Sequence, residues 1–144
     1  MANRKYTQSE HDEVIGVSAI TYSKKTEMGY RISTNPDGEK NWGWADMGLY
    51  PDLAVWKPTN PGGSGGLASI IEEIETEESV HDSEADQWEK YAAIGVPLFR
   101  LIVPKSKAVL ADNLIINRKI GIQELQYYYY DNQGKINFAK YKTY

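Results

Sequence analysis

Between Pro97 and Pro104 the chain reads Pro-Leu-Phe-Arg-Leu-Ile-Val-Pro, with one charge in eight residues. This run limits the fold more than any other. A strand so apolar is buried on both faces, and that happens inside a sheet covered by helices. Helical segments flank it. Residues 83–94 open with Ser83 and Asp86 at capping-box spacing, carry acids in the first turn where the helix dipole favours them, and stop at Gly95 and Pro97. Residues 106–119 form a second helix, ending at Gly121.

The rest of the chain supplies the partners such a strand needs. Over residues 7–25, Val14, Val17 and Ile20, with Tyr22 nearby, recur at helical spacing, and Thr7 or Ser9 can cap the start; the reading is one long helix closed by Gly29. Residues 30–34 alternate as a short strand before the turn signal Asn35-Pro36-Asp37-Gly38. Residues 39–48 form an irregular loop in which Trp42 and Trp44 are packing residues rather than base-stacking ones. Strands are expected at 53–56 and 67–76, joined by a Gly-rich mobile hairpin loop over 57–66. That loop lacks the Gly-Lys-Ser/Thr ending of a phosphate cradle, and a strand rather than a helix follows it. Residues 123–130 and 135–141 close the chain as a strand pair around Asp131-Asn132-Gln133-Gly134. The order helix, three strands, helix, strand, helix, two strands implies a mixed sheet with helices packed on its faces.

The third of these strands breaks the rule that a covered strand is apolar. In Ile70-Ile71-Glu72-Glu73-Ile74-Glu75-Thr76, alternation puts Ile71, Glu73 and Glu75 on one face and Ile70, Glu72, Ile74 and Thr76 on the other. Two like charges about 7 Å apart on one face repel unless water, a proton or a cation intervenes. If Asp52 opens a neighbouring strand, three carboxylates converge at one sheet edge, and hard divalent cations take oxygen ligands of this kind.

Composition narrows the chemistry further. The chain of 144 residues fits one domain, and 41% hydrophobic with 25% charged residues is ordinary for a folded soluble protein. Cysteine is absent, which excludes disulfides, thiolate zinc sites and a Cys nucleophile; His11 and His81 are the only imidazoles. The polar start Met1-Ala2-Asn3-Arg4-Lys5-Tyr6 has no apolar signal region, so the cytoplasm is the expected location. The net charge is −4, but residues 72–89 hold nine acids and no Lys or Arg, so the other eleven acids face all sixteen basic residues. Outside that segment a basic, backbone-tracking surface is available for nucleic acid.

Asp52 preceded by Pro51, Glu73-Ile74-Glu75 on a strand 21 positions later, then a helix and a buried strand, together resemble the PD-(D/E)xK nuclease superfamily. Gln87-Trp88-Glu89-Lys90-Tyr91 is similar to the Gln-x-x-x-Tyr element of its RecB-like members, with Gln87 and Tyr91 on one helix face. The resemblance covers almost the whole chain. It implies a restriction-endonuclease-like three-layer α/β/α fold with a central mixed sheet. It further implies Mg²⁺, with Mn²⁺ as a substitute, held by Asp52, Glu73 and the Ile74 carbonyl for hydrolysis of phosphodiester bonds, most naturally in DNA. Gln87 and Tyr91 would position the phosphate. The family's usual Lys is replaced here by Glu75, which would orient the attacking water, accept its proton or ligate a second ion. An acid from the first helix often joins the site; Glu10 and Glu13 are the candidates, Glu13 preferred, with His11 and Asp12 expected to face solvent.

Other readings of the same residues carry weight too. A nuclease fold can serve as a non-catalytic nucleic-acid-binding or assembly module. Tyr127-Tyr128-Tyr129-Tyr130 places two rings on each strand face, one pair for the core and one for bases or an interface. Lys105, Lys107, Arg118, Lys119, Lys135, Lys140 and Lys142 are candidates for a phosphate-tracking surface. A homodimer would let a domain of this size reach both strands of a duplex.

Overall fold

Two parallel crossovers set the plan of the molecule. In the computed structural model, which describes residues 4–58 and 68–144, strand β3 (Ala68–Ile74) passes through helix α3 (Asp82–Ala92) to β4 (Leu98–Pro104). Strand β4 passes through α4 (Ala108–Arg118) to β5 (Glu124–Tyr130). Strands β1 (Arg31–Thr34) and β2 (Leu53–Trp56) precede them and β6 (Ile136–Thr143) follows. The six strands lie in sequence order, with β3, β4 and β5 parallel and the other neighbours antiparallel. Because the parallel strands advance in one direction and crossovers share one hand, α3 and α4 fall on the same face.

That face is the larger core. Trp88 and Tyr91 of α3 and Ala111 and Ile115 of α4 pack on Ile71, Phe99, Leu101 and Leu125. Trp88 is fully buried, and its loss to alanine would cost about 3–5 kcal/mol as transfer and cavity terms add. Helix α1 (Arg4–Ile20) covers the opposite face, setting Val14 and Ile15 against Ile74, Ile102 and Tyr128. Helices on both faces of a mixed sheet are what the buried run at 98–104 required.

The first helix departs from the reading in one respect. It ends at Ile20, and a separate short helix α2 (Ser23–Glu27) follows. The Thr21 N–H and hydroxyl both turn back to the Ser18 carbonyl, at 3.0 and 2.6 Å. The break swings Tyr22 inward, where its hydroxyl donates to Glu72 Oε2 at 2.5 Å. In α3 the cap is His81, whose Nδ1 accepts the Glu84 N–H at 3.3 Å, so the Ser83–Asp86 box does not form. Helix α4 follows a 3-10 turn over Lys105–Lys107 and ends on left-handed Lys119 rather than at Gly121. Most of the mobile loop expected at 57–66, and the first residue of the strand expected at 67–76, lie outside the described residues.

Glu72, expected on the face opposite Glu73 and Glu75, is buried on that face, against α1, in a charged ladder. Register places it opposite Arg100, and Arg100 opposite Glu124. Arg100 reaches Glu72 at 2.8 Å and Glu124 at 3.2 Å, and Ser18 donates to the other Glu72 oxygen at 2.5 Å. The expectation of packing tryptophans holds. Trp42, Trp44 and Trp56 form one cluster, with Trp44 and Trp56 stacked at 5.7 Å. Gly43 between the first two has φ 150°, and a Cβ there would meet the Leu49 carbonyl oxygen at 2.4 Å, so this turn requires glycine. No helix among the described residues is long and apolar enough to cross a membrane.

Candidate active site

The antiparallel register of β2 on β3 pairs Leu53 with Glu72, which brings Asp52, one residue before β2, opposite Glu73. The Asp52 N–H donates to Glu73 Oε1 at 3.0 Å, and the Ile74 N–H donates to Asp52 Oδ2 at 2.8 Å. A second link holds this end of β2. Asn35 is buried, its amide donating to the Pro51 carbonyl at 2.8 Å and to the Trp42 carbonyl at 3.1 Å. The Asn of the predicted turn signal thus pins the residue before Asp52.

Glu73 and Glu75 share the α3 face, as alternation requires. Both are buried. The Glu75 N–H pairs with the Ile102 carbonyl at 2.9 Å, so β3 stays bound to β4 through this residue. Backbone groups alternate in direction along a strand, which turns those of Ile74 away from β4 toward Asp52. Trp88 Nε1 donates to Glu75 Oε1 at 3.0 Å. Glu84 joins them from the first turn of α3, and carboxylate oxygens of Glu73, Glu75 and Glu84 lie within 4.8 Å of one another.

Burial governs the electrostatics of this centre. It pushes the Glu73 carboxyl well above the usual carboxylate range, with the Asp52 and Glu75 charges adding to the rise. Burial and then Glu84 push Glu75 up in the same way. Both acids therefore hold their protons to higher pH than an exposed carboxyl does. A hard cation would replace those protons, and the all-oxygen donor set suits Mg²⁺, Mn²⁺ or Ca²⁺ rather than zinc or copper.

The remaining residues named from sequence fall in different places. Tyr91 is buried with its hydroxyl bonded to the Tyr50 backbone; burial, Glu73 and Asp52 raise its pKa, so it remains a neutral hydroxyl. Gln87 is half-buried one turn earlier on α3. Glu13 is exposed, whereas Glu10 is half-buried against Tyr130. The first-helix residue that reaches Asp52 is His11, its Nε2 donating to Asp52 Oδ1 at 3.1 Å. Burial pulls this imidazole's pKa down, but Asp52 and then Asp12 outweigh it and push it up to about 9.

His11 and Glu84 are thus the members that the reading of the sequence missed. Glu10 and Glu13 both lie in line with Val17, and the sequence favours Glu13 because Glu10 sits near the helix start. The side that faces the sheet carries His11, Val14, Ile15 and Ser18, with Tyr22 just past the helix end, and Ile20, one turn from Val17, is 71% exposed. Glu84, Trp88 and Tyr91 repeat the same i, i+4, i+7 spacing on α3, and that spacing was the available signal for Glu84.

A cleft of about 300 Å³ opens beside Asp52, lined by His11, Lys40, Tyr50 and Tyr91 among others. Lys40 Nζ sits 5.4 Å from the centre of the Tyr50 ring. The proposed basic surface is less continuous than the sequence suggests. Arg118 binds Glu89 at 2.9 Å and also Asp86, and Lys142 binds Asp112 at 3.3 Å. No protein-family model, curated protein or solved structure matches this chain.

Proposed function

We propose that this chain is a Mg²⁺-dependent nuclease of restriction-endonuclease-like fold, hydrolysing phosphodiester bonds in DNA. The observation that carries the reading is the opposition of Asp52 to Glu73 across β2 and β3, with Glu75 two residues on and Tyr91 behind them on α3. This is the arrangement that the PD-(D/E)xK resemblance implies, and the reading is supported by α3 and the buried strand β4 following Glu75 in that order.

Asp52, Glu73 and Glu75 would hold the ion, with the Ile74 carbonyl as a neutral ligand and Glu84 as an acid from α3. Bound there, Mg²⁺ supplies Lewis-acid polarisation of a phosphoryl oxygen and a lowered pKa for its water. Glu75 stands where the family has Lys. One of its oxygens is held by Trp88, and an ionised carboxylate at this position could accept the proton of an attacking water. His11 and Lys40 bring positive charge to the Asp52 side of the cleft, the charge that a lysine at position 75 would otherwise provide to the phosphate. Gln87 and Tyr91 position that phosphate by hydrogen bonds.

A second reading, a non-catalytic nucleic-acid-binding module of the same fold, draws on the absence of a cation at position 75. One assay separates the two. Labelled plasmid, linear duplex, single strand, branched junction and RNA are incubated with Mg²⁺, Mn²⁺ or chelator. Metal-dependent cleavage of any of them supports the nuclease and names its substrate; binding without cleavage across the panel supports the module.

A further inference from the structure

A second cavity, of about 390 Å³, opens at the carboxyl ends of β3, β4 and β5. Tyr129 and Tyr130 of β5, Thr76 to Glu78 after β3, and Pro104 and Lys105 at the end of β4 line it. It is joined to the acidic centre through one side chain. Tyr128, which lines this cavity, donates its hydroxyl to the Glu75 carbonyl oxygen at 3.2 Å.

The lining has two characters. Tyr129 and Tyr130 are 38% and 44% exposed, and the Tyr129 ring lies 6.0 Å from that of Tyr127. Lys105 Nζ lies 5.5 Å from the centre of the Tyr129 ring. Aromatic faces flanked by a cation are stacking platforms for planar bases. The lining also holds carboxylates. Glu77 accepts from Ser106 Oγ at 2.5 Å, and Glu10, bonded to Tyr130, is raised in pKa by burial and then by neighbours that include Glu77. Glu10, Glu77 and Glu78 against a single Lys105 exclude a phosphate from this cavity. They suit a ring that donates hydrogen bonds, since an ionised carboxylate only accepts.

We infer that this cavity is a nucleobase subsite, taking one unpaired base of a nucleic-acid strand, stacked on Tyr129 or Tyr130, with its donor-bearing edge facing Glu77 and Glu10. The inference rests on the nuclease reading for the phosphate at Glu73 and Glu75, and adds a single-stranded substrate and a base preference. Guanine fits best, because its N1–H and N2 amine are adjacent donors for one carboxylate. Uracil and thymine fit worst, because carbonyl oxygens flank their single N–H. A base inside a duplex hides this edge, so the subsite requires an unstacked strand.

Fluorescence anisotropy tests this with labelled short oligonucleotides of single base type, in DNA and RNA arms, with chelator present so that no strand is cut. Oligoguanosine blocks flanked by uridine avoid higher-order structure. The wild type is expected to prefer guanine-containing strands to uridine ones. Tyr129→Ala or Tyr130→Ala should weaken that binding by about 5- to 150-fold, the range that base–aromatic stacking spans, while Tyr129→Phe and Tyr130→Phe retain it. Glu77→Gln should reduce the guanine-over-uridine ratio with little change for uridine strands. Equal affinity of wild type and both alanine variants for every strand would overturn the subsite, as would tighter binding of duplex than of single strand. The nuclease reading fails separately: if no substrate is cut but these binding differences appear, the subsite stands without it. Cleavage that is metal-dependent but indifferent to all three positions leaves the nuclease and removes the subsite.

Discussion

Both oxygens of Asp52 are engaged before any ligand arrives: Oδ1 accepts from His11 Nε2 at 3.1 Å and Oδ2 from the Ile74 N–H at 2.8 Å. The protein has placed an imidazolium against the acid that opens β2, and a backbone donor from β3 fixes the other side. The carboxylate is therefore aimed before binding, and its remaining lone pairs are the ones available to a cation.

This pairing makes metal-free stability depend on pH. His11 titrates at about 9 in the fold against 6.5 for the free side chain. A raised pKa means that the stabilisation is complete below pH 6.5 and is lost as pH rises through 9, an amount of at most about 3 kcal/mol at 1.36 kcal/mol per unit. Urea midpoints of the metal-free protein should fall across that window, and His11→Gln should flatten the fall. A slope unchanged in His11→Gln would show that another group carries it.

Glu73 and Glu75 are destabilising when ionised, since burial holds their carboxyls above the usual range. Their contribution is favourable below pH 4.5 and is lost as pH rises through the folded values. Glu73→Gln preserves the acceptor for the Asp52 N–H and removes the charge. The variant should gain about 0.5–2 kcal/mol in metal-free urea unfolding while losing the nuclease activity proposed for this site, the trade-off expected of a strained site. A loss of stability on this substitution would contradict the electrostatic account.

Divalent cations should raise the thermal midpoint of the wild type at neutral pH. Saturation at a hundredfold excess over Kd corresponds to about 2.7 kcal/mol. Glu75→Gln and Glu84→Gln should each reduce this stabilisation, read by differential scanning fluorimetry with Mg²⁺, Mn²⁺ and Ca²⁺. If Glu84→Gln responds like the wild type, Glu84 stands outside the ion's ligand set.

The Glu72–Arg100–Glu124 ladder is structural on this account, for it lies on the α1 face, away from Glu73 and Glu75. Arg100→Ala leaves Glu72 buried without its cation and should cost about 3–5 kcal/mol. Glu72→Gln combined with Arg100→Met should recover much of that loss, as denaturant titration would show.

The sequence announced the sheet and the facing of its acids because both follow from period-2 alternation. Asp52 and Glu73 meet because one register pairs Leu53 with Glu72, and a Pro-Asp before one strand and an acid on the next were readable signs of it. The first helix was harder. Its buried side mixes apolar Val14 and Ile15 with polar His11, Ser18 and, past the helix end, Tyr22, which answer to Asp52 and Glu72, and an apolar periodicity does not report that polar part. The same blindness hid Glu84, which in sequence is one acid among nine over residues 72–89. The break at Thr21 has its cause 50 residues away, in the bond from Tyr22 to Glu72.

The most direct test is the cleavage rate of the purified chain as a function of Mn²⁺ concentration, wild type beside Asp52→Asn prepared identically. The account predicts saturable, chelator-sensitive cleavage in the wild type and a loss of at least about a hundredfold in Asp52→Asn with its fold intact, the scale of removing one group that stabilises transition-state charge. Cleavage of equal rate in both proteins, or none in the wild type on any strand, would contradict it.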